Sequence, residues 1–134
     1  MAAIAEDDRT PPPRRLRAWL HAVLATKQEK IRTDPELFAA FGVLAAEHSS
    51  VASDHVADLL GQLQSIVAAG ASDGSFGCAD PVSAARTVFH ATARFHHIAL
   101  ASSWLDPGIE AELDAVCTLL LAGLASGLAS GDPA

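Results

Sequence analysis

Residues 81–104 read PVSAARTVFHATARFHHIALASSW, and three histidines crowd its centre as FHATARFHH, Phe89 to His97. Asp80-Pro81 in front of this run is a helix-start signal: a capping carboxylate, then a ring already fixed at the helical φ. The spacing predicts one helix from Pro81 to about Trp104. At about 100° per residue, Ala85, Val88, Phe89, Thr92, Ala93, Phe95, His96, Ala99 and Leu100 share one apolar arc, with His96 near its middle. His90, Arg94 and His97 fall together on another side. Two readings of His96 stay open. It is a core histidine with its hydrogen bonds satisfied, or a polar contact in a ligand cavity or subunit interface. His55 carries the same pair of readings.

Metal chemistry does not fit this histidine pattern. His90 and His97 are two turns apart, roughly 10 Å along the axis, whereas zinc–nitrogen bonds are about 2.0–2.1 Å. No histidine pair in the chain has the chelating spacing of three or four, and no E-x-x-H occurs. Nucleophilic and phosphate chemistry lack support too. There is no G-x-S-x-G elbow, no C-x-x-C and no glycine loop followed by lysine. No enzyme, metal or cofactor is expected.

Nearer the N-terminus, Leu16, Trp19, Leu20, Val23, Leu24 and Ile31 recur at helical spacing, predicting a helix from about Arg14 to Arg32. Asp34-Pro35 opens a second, with Leu37, Phe38, Phe41 and Leu44 as its stripe. A third starts near Ser49-Ser50, carries Ala52, His55, Val56, Leu59, Leu60, Leu63, Ile66 and Val67, and ends at Gly70 before a turn at Ser72-Asp73-Gly74. Asp106-Pro107 opens the last, to about Ser126, ahead of Gly127, Gly131 and Pro133. No period-two pattern survives. The fold class is an all-α bundle of five to six helices.

The chain has 134 residues, the size of one domain, and a formal charge of −7. That charge argues against gripping nucleic acid unaided, since phosphate contacts need clustered Lys and Arg. Cys78 and Cys117 do not form a disulfide framework. The stretch MAAIAEDDRTPPP does not read as a signal peptide, and the apolar run Val116 to Ala125 is too short to span a bilayer. The expected location is the cytoplasm, with no membrane partner.

The last helix raises a packing question. Ile109, Leu113, Val116, Leu119, Leu120 and Leu124, with small Ala115, Ala122 and Gly123 among them, leave it apolar round much of its girth. A helix apolar on two sides is buried on two sides. Either it lies centrally within a monomeric bundle, or the last two helices pack against their symmetry mates in a homodimer. The dimer is the expectation, with His90, Arg94, His97, Ile98, Val116, Leu119, Leu120, Gly123 and Leu124 as candidate interface residues.

Four stretches, DPELFAAFGVLAAEH, HVADLLGQLQSIVAAGASDGSF, ADPVSAARTVFHATARFHHIALASSWLDP and LDAVCTLLLAGL, resemble in order the C-terminal half of TetR-family (tetracycline-repressor-like) transcriptional regulators. The resemblance covers about Pro13 to Ser126. It implies an effector-binding and dimerisation domain whose last two helices form a four-helix bundle with a partner subunit. It places the effector among the earlier helices and the inner face of the penultimate one, nominating Trp19, Phe38, Phe41, His55, Phe89, Thr92 and His96. The family's N-terminal helix-turn-helix is not found in this sequence, and Met1 to Ala5 looks like the last turn of its linking helix. The expected layout is 1–10 as linker tail, 11–128 as the effector and dimerisation domain and 129–134 as a disordered tail. The expected partners are a small, mostly apolar effector and a second copy, with DNA reached only through a separate N-terminal domain. The alternative is a stand-alone helical dimerisation protein that modulates a full-length relative.

Overall fold

The computed structural model describes residues 1–36, 39–40 and 49–127, with side chains from 54 onward in the last stretch. No strand occurs among the described residues, as the composition requires. The helices are α1 (Ala2–Ala5), α2 (Pro12–Thr33), α3 (Ser49–Asp73), α4 (Pro81–Ala91) and α5 (Ile109–Ser126). Two 3₁₀ segments, Ala93–Phe95 and Ile98–Ser103, lie between α4 and α5. The helix expected from Asp34, with Phe38 and Phe41 on its stripe, lies for the most part outside the described residues, as does the expected tail 129–134.

Helix α2 starts inside the proline triplet. Pro11 caps it and Pro12 and Pro13 occupy the first turn, where an amide N–H is not needed. Its stripe Leu16, Trp19, Leu20, Val23 and Leu24 is buried to within 2% exposure. Two side-chain rungs set the direction of α3 against it: Trp19 Nε1 donates to Gln62 Oε1 at 2.9 Å, and Lys27 Nζ meets His55 Nε2 at 3.1 Å. As numbers rise on one helix they fall on the other, so the pair is antiparallel. Buried Arg15 ties α1 to this pair by donating to the carbonyls of Thr10 at 2.8 Å and Ala5 at 3.5 Å.

Three expected boundaries move. Helix α3 runs through Gly70 and stops at Gly74, which holds the left-handed φ of +87°. Gly70 is a packing residue instead: a Cβ there would lie 2.1 Å from the Phe76 ring. Helix α5 begins after Gly108, at φ +80°, rather than on Asp106-Pro107. The single helix expected from Pro81 to Trp104 is the largest correction. Asp80 does cap its start, accepting from Ser83 N at 3.3 Å, but α4 ends at Ala91. The carbonyl of Phe89, which the next helical amide would use, is taken by the side chains of Thr92 and His96.

Helix α5 closes the core with Ile109, Leu113, Cys117 and Leu124, each no more than 1% exposed. Its outer flank clasps α2, where the Arg17 guanidinium meets the Asp114 carboxylate and donates to Thr118 Oγ1 at 3.1 Å. Gly77 N donates to Leu124 O at 2.8 Å, so the α3–α4 loop seals the far end of α5.

Candidate functional site

The histidine stretch is a sequence of backbone caps. Thr92 is fully buried and its Oγ1 reaches Val88 O at 2.9 Å and Phe89 O at 3.2 Å. The His96 ring folds back so that Nε2 lies 3.0 Å from Phe89 O and 3.2 Å from Thr92 Oγ1. A carbonyl only accepts, so His96 carries its proton on Nε2. The same ring stacks on Phe89, centroids 4.2 Å apart. His97 serves the next element: its Nδ1 accepts from Ala99 N at 3.1 Å and caps the second 3₁₀ segment. His96 is a neutral imidazole. Burial holds its pKa down to about 4, opposed by the Phe89 bond and reinforced by the charge of Lys27 and by His97 and His55.

Beside this cap lies a second polar group within apolar surroundings. Lys27, from the second-last turn of α2, carries its ammonium 3.1 Å from His55 Nε2 and 5.4 Å from the centroid of the Trp104 ring. Lysine only donates, so His55 Nε2 accepts and that imidazole is neutral. Burial lowers the His55 pKa first, then the charges of Lys27 and Lys30, with Asp58 opposing. Burial likewise brings Lys27 down to about 8, helped by Lys30. Trp104 is itself locked in place. Its Nε1 donates to Arg94 O at 3.1 Å and its carbonyl accepts from Gln28 Nε2 at 2.9 Å.

Of the nominated effector residues, Phe89, Thr92 and His96 therefore form one contact group, while His55 contacts Lys27 and acts on His96 only through its electrostatic field. Trp19 stands apart: it is eight residues before Lys27, roughly 12 Å along α2, buried to 1% and bonded to Gln62. Phe38 and Phe41 lie outside the described residues. Lys27 and Trp104 escaped the sequence reading. The signal for Lys27 was its position, four residues after Val23 on the buried stripe of α2. Among the described residues there are two open surface grooves, one lined by Ala3, Ile4 and residues 6–9 and one by Ala5, Gly61, Gln62 and Ser65. Neither reaches Lys27 or His96. Among the described residues no three ligating side chains stand close enough to hold a metal ion.

Residues 12–117, from the first turn of α2 to the middle of α5, match the family model for the tetracyclin repressor-like C-terminal domain. The chain belongs to that family. No curated protein and no solved structure matches it. In this tetracyclin repressor-like domain, no helix among the described residues is long and apolar enough to cross a membrane.

The residues nominated for a subunit contact divide into two sets. On α5 of this repressor-like domain, Leu119 is 76% exposed and lies in line with exposed Ala111, Ala115 and Ala122. Val116, Leu120 and Gly123 flank that strip, half-buried. Leu124 is 1% exposed and belongs to its own chain's core, so it has no surface to offer a partner. His90 and His97 are exposed and Ile98 is half-buried. Arg94 is engaged within the chain, with Nε 2.9 Å from Glu112 and Nη2 3.7 Å from Asp106.

Proposed function

We propose that this chain is the effector-sensing and dimerisation part of a TetR-like transcriptional regulator. The observation that carries the reading is the family match, which spans four-fifths of the chain and takes in the Lys27–His55–Trp104 group. In this reading a small, mostly apolar effector is recognised by aromatic surface with a few placed polar groups. The domain does not bind operator DNA by itself, consistent with its charge of −7. It acts in the cytoplasm, performs no catalysis and needs no cofactor.

The dimerisation half of the proposal rests on α5. One face fills the core through Ile109, Leu113 and Cys117, while the strip Ala111, Ala115, Leu119 and Ala122 faces out. Small residues around a projecting leucine allow close helix–helix approach, and a symmetric pair of such strips is self-complementary.

Ligand-dependent melting tests the sensing half, because a compound that binds only the folded state must raise its stability. Fatty acyl, aromatic and drug-like compounds are the set to try. At least one is expected to raise the melting temperature in a concentration-dependent way, and no shift with any of them would count against a sensor.

A further inference from the structure

We infer that the effector is an amphipathic monocarboxylate whose carboxylate is bound by the Lys27 ammonium beneath Trp104; the inference rests on the effector-sensing reading above. An ammonium has three N–H donors. His55 Nε2 accepts one, at 3.1 Å, and the Trp104 ring faces the charge at 5.4 Å. No carboxylate pairs with Lys27 among the described residues. The neighbouring ionisable side chains add no negative charge in contact with it. Lys30 is a second cation, His55 is neutral, and Asp58 lies beside His55 rather than Lys27. Among the described residues, Lys27 is thus a half-buried cation with one donor used, beside Trp104 and the neutral His55 imidazole.

Its chemistry selects the ligand. Burying a charge without a counter-charge is costly, and an anion that brings one removes that cost. The one half-buried ammonium balances a single negative charge, Lys30 being exposed, which favours a carboxylate over a doubly charged phosphate. The Trp104 ring beside the ammonium supplies the aromatic contact for the apolar part of the same molecule. Nothing else on α2 has this setting: Arg15 is satisfied by backbone carbonyls and Arg17 by Asp114.

The test compares matched acids and primary amides on the whole chain by titration calorimetry and melting. Octanoate, phenylacetate and naphthoate are set against octanamide, phenylacetamide and naphthamide. At least one acid is expected to bind about tenfold or more tighter than its amide, the scale of a charged hydrogen bond. Lys27→Met should remove that preference, and Lys27→Arg should keep most of it. Lys27→Met replaces the ammonium by an apolar chain of similar length, so it should melt no lower than the parent, and the acid–amide comparison on the parent needs no variant. Equal binding of acid and amide, or an acid preference that survives in Lys27→Met, overturns the inference. Amides that bind while acids do not overturn it and leave the sensing reading standing; no binding by any of the six overturns it too, and the sensing reading falls only if the wider set of fatty acyl, aromatic and drug-like compounds also gives no melting shift.

Discussion

Nε2 of His96 lies 3.0 Å from the carbonyl of Phe89, seven residues earlier, and helix α4 ends between them. The contact explains a helix stop with neither glycine nor proline. Phe89 O would otherwise accept from the amide of residue 93. With the imidazole and the Thr92 hydroxyl on it instead, the chain tightens into 3₁₀ turns.

Replacing His96 by leucine removes the donor while keeping the position apolar. The Thr92 hydroxyl still reaches Phe89 O at 3.2 Å, so the carbonyl is not wholly orphaned. The expected loss is about 1–2 kcal/mol, the range for one buried hydrogen bond. It is read as a lower urea midpoint at unchanged slope. A midpoint equal to the parent's would show that the imidazole does not hold this helix end.

The same residue makes stability depend on pH. The folded pKa of His96 is about 4, and burial is the main cause. In the unfolded chain a histidine titrates near 6.5. Between those values the unfolded state binds more protons, so stability is full above about pH 6.5 and falls as pH drops towards 4. His55, also lowered by burial, acts in the same direction. Asp7, Asp73, Glu110 and Asp114 have pKa values held below their ordinary ones by hydrogen bonds, so their contribution is lost only at lower pH, past those ordinary values of 3.8 to 4.5. Unfolding free energies measured from pH 6.5 to 4.5 should fall by on the order of 2 kcal/mol more in the parent than in His96→Leu. Parallel curves would contradict the buried neutral imidazole.

Local signals carried much of the fold into the sequence. The Asp80 cap and the Gly127 end of α5 are each decided within a few residues and could be read, whereas α2 starts at Pro12, two residues before the expected Arg14. The end of α4 could not, because its breaker is a side chain that finds Phe89 O only once the chain has turned. Gly70 misled for a related reason. A glycine needed to admit the Phe76 ring looks, in sequence, like one needed for a left-handed cap. Of the candidate site, His55, Phe89, Thr92 and His96 could be read as polar or aromatic members of apolar stripes. Lys27 was not: a lysine is ordinarily taken for a solvated face, and its burial follows from α3 and Trp104 lying over it.

Two glycines of α3 give opposite expectations for one substitution. At Gly61 an added Cβ meets nothing within 4 Å, so Gly61→Ala should stabilise by up to about 1 kcal/mol through helix propensity. At Gly70 the Cβ would lie 2.1 Å from Phe76 Cδ2 and 2.5 Å from Cε2. Gly70→Ala should therefore destabilise by about 1–3 kcal/mol despite the same propensity gain. In a Phe76→Leu background much of that loss should disappear, giving a coupling energy in a double-mutant cycle. Thermal melts of the parent, the two glycine variants, Phe76→Leu and the double variant are sufficient. Stabilisation by Gly70→Ala would mean that Phe76 does not sit on the helix.

The last expectation separates the two faces of α5. Leu119 is 76% exposed and Leu124 is 1% exposed, although both are leucines on one helix. If the outward strip pairs with a second copy, the 13.9 kDa chain runs at twice its mass in light scattering at micromolar concentration. Leu119→Asp then places a carboxylate at the centre of the contact, opposite its own symmetry mate, where like charges repel. That variant should scatter as a monomer and keep its helical circular dichroism, because the inner face is untouched. Leu124→Asp should instead lose the fold, since it buries an unpaired charge in the core. A parent chain that is monomeric at micromolar concentration removes the dimer from the proposed function, and a Leu119→Asp variant that remains dimeric moves the contact to another face.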